Sequence, residues 1–331
     1  MANYFFKFLL ITITAFYCSS TVYANSYTLQ IPEQTTIREI SKNPNHRTMR
    51  GRDIHVYQFA AKNENNQPVE AKYKFMVQGG LHGNELLTTE FVNWLTKRYA
   101  RGSSRLNQLA KFHIALDLIP TANPDGLIAA ERYNSNGVNL NRNFDVLWGI
   151  TKENPGESHA SEPETQSIKY LFQKNKYTAA VDVHGYVNWI VAPTSPQKLN
   201  RLGQSFDKKL VPKYNAWIKA LSEEMEALPR YELKTAGGLG DGGAFEDWTF
   251  WSNGTMSYCL ELKSKSRYAQ SYRRSFSDIT KADDKFQIDL FKTYELFIWN
   301  TFKRAIEIGG QGSNTLVDQQ KTNGADSKTT H

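Results

Sequence analysis

The sequence predicts an α/β protein, a single α/β/α domain in which strands and helices alternate along the chain. Three observations predict it. Residues 112–120, 178–183 and 256–262 form short, largely apolar runs of the length of buried strands. Residues 84–99, 199–228 and 282–308 carry apolar side chains at helical spacing. No internal repeat is present, and 331 residues are enough to bury one large core.

Taken in order, residues 1–24 read as a secretory signal peptide. Lys7 sits near the start, residues 8–17 are mostly apolar, and the segment closes on Ala24. It is too short and wrongly flanked for a membrane span, and Cys18 lacks the small-residue context of a lipidation site. Cleavage would leave Cys259 as the only cysteine, so no internal disulfide could form; a periplasmic location suits that product. Residues 27–52 are polar and turn-rich and read as a surface lead-in. Residues 53–61 and 69–78 read as two strands around a turn at 63–68. Asn123-Pro124-Asp125-Gly126 is a strong turn signal, and residues 132–145 form a polar loop too rich in asparagine and arginine for a core. Ser161-Glu162-Pro163-Glu164 has the pattern of a capping box opening a helix to about Lys176. Residues 235–243 are glycine-rich, and residues 309–331 lack periodicity and read as a disordered tail.

The formal net charge of +7 could assist approach to an anionic polymer such as the cell wall, and equally fits a merely basic surface. No Lys/Arg run interleaved with aromatics argues for nucleic acid, and no later apolar run approaches membrane length.

The chain is organised around Gln78-Gly79-Gly80-Leu81-His82-Gly83-Asn84-Glu85, a strand end, a glycine turn and a helix start. α/β enzymes carry their chemistry at such places. His82 and Glu85 supply two of the three ligands of a His₂Glu zinc site, although His-x-x-Glu alone also describes an exposed loop pair. His184 stands at a second strand end beside Gly185, and Glu261 is a carboxylate inside an apolar strand, costly unless paired or functional.

Together, His82-Gly83-Asn84-Glu85, Asn123-Pro124-Asp125-Gly126, Arg132, Asn141-Arg142-Asn143-Phe144, His184 and Leu260-Glu261-Leu262 resemble the M14 zinc carboxypeptidases in type and order. The resemblance spans residues 74–263. It implies a central mixed, mostly parallel sheet and a catalytic domain over residues 25–308. It also implies one zinc ion on His82, Glu85 and His184, with Glu261 as general base and Arg132 facing the oxyanion. Asn141 and Arg142 would grip the substrate's terminal carboxylate, for which a planar guanidinium is suited.

Two departures stand out. Asn139 occupies a position where members often carry an aspartate bonded to the first histidine, which predicts a less basic His82. The loop before Glu261 lacks the tyrosine of digestive members, as do bacterial peptidoglycan-trimming relatives. Glu246 precedes an Asp247-Trp248-Thr249 segment similar to one whose preceding residue floors the pocket for the departing side chain in the family. An acidic residue there implies a departing residue with a distal positive group; a glutamate exposed on the glycine-rich loop is the alternative.

The expected function is a periplasmic zinc carboxypeptidase acting on peptidoglycan stem peptides, releasing meso-diaminopimelate from tripeptide stems. Alternatives are release of Lys or Arg from ordinary peptides, deacylation of an N-acyl amino acid, and a non-catalytic wall-binding protein on a peptidase fold.

Overall fold

The computed structural model describes residues 33–60, 70–101, 113–235, 241–263 and 285–322. The expected signal peptide at 1–24, the turn at 63–68 and most of the glycine-rich loop lie outside the described residues. Chain order is β1 (Glu33–Thr36), α1 (Ile37–Ser41), β2 (His55–Phe59), β3 (Tyr73–Gln78), α2 (Leu86–Ala100), β4 (Ile114–Ile119) and α3 (Pro124–Ala129). There follow α4 (Pro163–Lys174), β5 (Ala179–Gly185), β6 (Trp189–Ala192), α5 (Pro196–Arg201), α6 (Val211–Glu224) and β7 (Glu232–Thr235). The chain closes with α7 (Phe245–Asn253), β8 (Met256–Leu262) and α8 (Lys285–Thr322).

The strands form one eight-stranded mixed sheet in the order β1-β2-β4-β3-β5-β8-β6-β7. Its centre, β4-β3-β5-β8, is parallel, and β1, β2 and β6 enter antiparallel to their neighbours or to the centre. Strand alternation divides the centre into two chemically different faces. On one face Phe75 stacks on Phe302 of α8 at 4.1 Å, and Tyr258 meets Phe297 at 5.6 Å. The other face carries Asp182, His184, Ser257, Cys259 and Glu261 in register across β5 and β8. There Ser257 bonds to Thr249 of α7, and Phe172 of α4 packs on Trp248 at 5.0 Å. Helices thus cover both faces, with the polar residues confined to one.

Several local expectations are corrected. The lead-in at 27–52 contains an edge strand and a capped helix, because Thr36 and Glu39 close a capping box around α1. Asn123-Pro124-Asp125-Gly126 opens α3: the Asn123 side chain accepts from the Gly126 amide and Pro124 pre-sets the first turn. At α4 no capping box forms, since the Ser161 hydroxyl donates to Glu162 Oε1 instead. The asparagine-rich loop is largely buried. Asn134, Asn139, Asn141 and Asn143 are all inside, and Asn143 donates to the carbonyls of Pro155 and Ser158. Satisfied amides remove the cost that would otherwise keep such residues at the surface. The last helix continues past residue 308 to Thr322, into the stretch expected to lack structure.

Candidate active site

β3 delivers the chain to the C-terminal edge of the parallel strands, where Gly79 and Gly80 turn it. Gly80 has φ +62°, and a Cβ there would stand 2.6 Å from Thr89 Oγ1. At Gly83 a Cβ would lie 2.0 Å from the Gly126 carbonyl carbon, so the turn carrying His82 and Glu85 packs backbone to backbone against α3. β5 brings His184 to the same edge, and β8 sets Glu261 directly opposite His184 in register.

Three buried side chains converge there. Glu85 Oε1 lies 2.9 Å from His82 Nδ1, and Glu85 Oε2 lies 3.1 Å from His184 Nδ1. The two Nδ1 atoms are 3.0 Å apart. Each ring is turned by its other nitrogen: His82 Nε2 donates to Asn139 Oδ1 at 2.9 Å, and His184 Nε2 to Asp182 Oδ2 at 2.8 Å. Each ring thereby turns its Nδ1 toward the other and toward a Glu85 oxygen. One ligand atom from each of the three residues lies within 4.8 Å of the others, an arrangement that could hold a metal ion, and its composition is a His₂Glu zinc set with outer partners in place. Zinc fits these residues.

Electrostatics separate the members of the cluster. Burial works to raise Glu85, but the two imidazoles hold it well below the usual carboxylate range. Burial and the nearby Arg132 and His184 lower His82, whereas Asp182 and Glu85 overcome burial and hold His184 well above an ordinary imidazole. Burial pushes Glu261 up to about 7, with Glu85 adding to it and His184 and Arg132 opposing; its Oε2 is buried without a hydrogen-bond partner among the described residues.

Arg132 reaches into the cluster, its Nη1 3.0 Å from His82 Nδ1 and 3.1 Å from Glu85 Oε1. Asn141 and Arg142 lie in a short 3₁₀ turn, Leu140–Arg142. Asn141 Oδ1 accepts from the Phe245 amide at 2.8 Å, and its Nδ2 is 3.5 Å from His184 Nε2. Arg142 Nη2 donates to Asp241 Oδ1 at 3.0 Å, and its Nε is buried without a partner among the described residues. Glu246 sits in the first turn of α7 and is 3% exposed, so the exposed-loop alternative is excluded. Its Oε2 has no hydrogen-bond partner among the described residues. Burial, then Asp247 and Asp182, push it up to about 8, with His184 close enough to oppose them.

Sequence reasoning missed Asp182, Glu153 and Asp241. Asp182 lies two residues before His184 on one strand and so shares its face, a signal present in the sequence. Glu153 and Asp241 lie in irregular segments and carry no such signal.

A buried His₂Glu set at the C-terminal edge of a parallel sheet centre is characteristic of the zinc hydrolase class. The chain belongs to one family of that class: the zinc carboxypeptidase family matches residues 23–286. Among curated proteins it is similar to the mouse carboxypeptidase N catalytic chain, 26% identical over 185 residues that cover 47% of this chain and 39% of that one. It is also similar to carboxypeptidase SOL1 of Arabidopsis thaliana, 30% identical over 122 residues, 35% of this chain and 24% of that one. The matches thus span well under half of these relatives' length. The fold resembles that of bovine thrombin-activatable fibrinolysis inhibitor, with TM-score 0.58 at 16% identity over 84% of this chain and 91% of that one.

Proposed function

We propose that this protein is a zinc carboxypeptidase, and that the residue it releases carries a positive group at its far end. One observation carries the activity: His82, Glu85 and His184 converge on the same sheet edge as a Glu261 oxygen that has no hydrogen-bond partner among the described residues. Bound by those three residues, zinc would supply a Lewis acid that makes water a nucleophile near neutral pH. Glu261 Oε2 takes a proton and returns it to the departing amine, a task suited to a carboxyl poised near 7. Arg132 Nη1 stands over the ligands, where a guanidinium stabilises an oxyanion as it forms. Asn141 and Arg142 hold the free carboxylate and restrict cleavage to chain ends.

Glu246 supports the substrate reading, because a buried carboxylate oxygen with no hydrogen-bond partner among the described residues suits a departing ammonium. Meso-diaminopimelate from a peptidoglycan tripeptide stem offers one, and the leader-like residues 1–24 support a periplasmic site of action. A second reading, release of Lys or Arg from ordinary peptides, is favoured by a separate observation. The charges that bear most on Glu246 are Asp247, Asp182 and His184, two acids and one zinc-ligand imidazole, while diaminopimelate brings a second carboxylate that needs a cation. Among the described residues no helix is long and apolar enough to cross a membrane.

The deciding experiment incubates the zinc-loaded protein with purified muropeptides and with Lys-, Arg- and Phe-ended peptides, then identifies the released residue by mass spectrometry. Diaminopimelate release supports the first reading and Lys or Arg release the second. No release from any free-acid substrate refutes the enzyme.

A further inference from the structure

The two imidazoles of the site are held in different ways. His184 Nε2 donates straight to a carboxylate, Asp182, at 2.8 Å. His82 Nε2 donates to a neutral amide oxygen, Asn139 Oδ1, at 2.9 Å. That amide leads on: Asn139 Nδ2 donates to Glu153 Oε2 at 2.5 Å. Asn139 Oδ1 also accepts from the Asn141 backbone nitrogen at 2.9 Å, so both ends of the amide are fixed by their partners and cannot be exchanged. The same Glu153 carboxylate accepts from Arg132 Nε at 3.2 Å and lies 3.6 Å from Arg142 Nη2.

We propose that Glu153 is the positioning carboxylate of His82, acting through the Asn139 amide, and that it fixes Arg132 and Arg142 relative to that imidazole. The physical reason is polarisation along a hydrogen-bonded chain. A carboxylate accepting from Asn139 Nδ2 draws charge toward Oδ1, which strengthens Oδ1 as the acceptor for His82 Nε2–H and makes Nδ1 a better donor to a metal. Asn139 therefore displaces the negative charge outward by one amide, where the sequence alone suggests that it is missing. The displaced carboxylate gains something by its position: it reaches two arginines, Arg132 and Arg142. Glu153 is also held ionised: burial works against this, but Arg132 and Asn139 keep it below its ordinary range.

The inference rests on the zinc reading of the site and on no choice of substrate, so its test uses none. Zinc dissociation constants would be measured by competition with a chromophoric chelator for the parent, Glu153→Gln, Asn139→Asp and the double variant. A parent that binds no zinc refutes the site reading itself, which is a different failure. Glu153→Gln keeps the shape and the acceptor for Asn139 but removes the charge, and is expected to weaken zinc binding about 10–100-fold. Adding Asn139→Asp to Glu153→Gln places a carboxylate directly on His82 Nε2 and should recover affinity to within roughly threefold of the parent. In the parent the same Asn139→Asp change should gain nothing, because it sets two carboxylates at the 2.5 Å contact. A staple that merely holds the loop would survive as Gln and show no such reversal. Zinc affinity of Glu153→Gln within twofold of the parent overturns the proposal, as does Asn139→Asp acting by the same factor in both backgrounds. If Glu153→Gln alone does not fold, the double variant decides: near-parent affinity supports the proposal and a tenfold loss overturns it.

Discussion

Glu246→Gln is the substitution that bears most on specificity. Glu246 is 3% exposed, and burial with Asp247 and Asp182 holds its carboxyl up to about 8. The sign follows directly. Below pH 8 the group is mostly neutral, and it must lose its proton before it can pair with a departing ammonium. A lysine side chain stays charged throughout, since its ordinary pKa is about 10.4. The ionised fraction of a group with a pKa near 8 rises from about 1% at pH 6 to about 50% at pH 8. Apparent affinity scales with the competent fraction, so preference for a cationic leaving residue should climb roughly 50-fold over that interval. The assay is the ratio of kcat/KM for a Lys-ended over a Phe-ended peptide, measured from pH 6 to 8.5. Glu261, Arg132, Arg142 and the metal act on both substrates, so their contributions cancel in the ratio. In Glu246→Gln the ratio should be flat with pH. The Lys-ended peptide should lose about 2–5 kcal/mol, as for one broken buried charge pair, while the Phe-ended peptide loses little. A parent ratio that does not change with pH, or equal losses on both peptides, would refute Glu246 as the selector.

Other expectations concern the rest of the site. His82→Ala and His184→Ala should each lose zinc, read by elemental analysis, because two remaining ligands hold the ion poorly; full zinc content in both variants would remove the assignment. Glu261→Gln should keep zinc and fold but lose roughly 10²–10⁴-fold in kcat, and near-parent turnover in a zinc-loaded sample would place the base elsewhere. Arg142→Ala should weaken free-acid substrates selectively, and the parent should already be poor on C-terminally amidated peptides. Equal cleavage of acid and amide by the parent would contradict an exopeptidase.

Legibility of the fold followed burial. β3, β4, β5 and β8 form the parallel centre, where strands are covered on both faces and so read as apolar runs. β6 and β7 are four residues each, and β7 is mostly exposed, so neither leaves a periodic trace. The asparagine loop was misplaced at the surface for a related reason. Composition reports polarity, whereas burial depends on whether each asparagine amide finds a partner, and those partners come from residues such as Pro155 and Phe245. In the site, His184 and Glu261 were legible inside apolar strands, and His82 and Glu85 on the glycine turn between β3 and α2. Asp182 was equally legible from its i, i+2 relation to His184. Glu153 was not, because its role exists only after the loop brings it to Asn139 and the two arginines.

The carboxylates of the site show how a single kind of environment yields different chemistry. Glu85, Asp247, Glu261 and Glu246 are all pushed upward first by burial, and they separate by what else they touch. Glu85 has two imidazoles and the Gly185 amide, so it stays ionised as a ligand must. Asp247 receives the Thr194 amide and hydroxyl and comes to rest near 6, which suits an anchor tying α7 to the end of β6. Glu261 has the charges of His184 and Arg132 against that of Glu85, and is poised near 7, where a proton can be both taken and returned. Glu246 has acids as its strongest charged neighbours and holds its proton to about 8, leaving the cation to come from outside. Burial supplies the leverage, and partner choice assigns the role. Hence the substitutions that should matter most for function change a charge while leaving the side chain's shape alone: Glu153→Gln, Glu246→Gln and Glu261→Gln all fit that description.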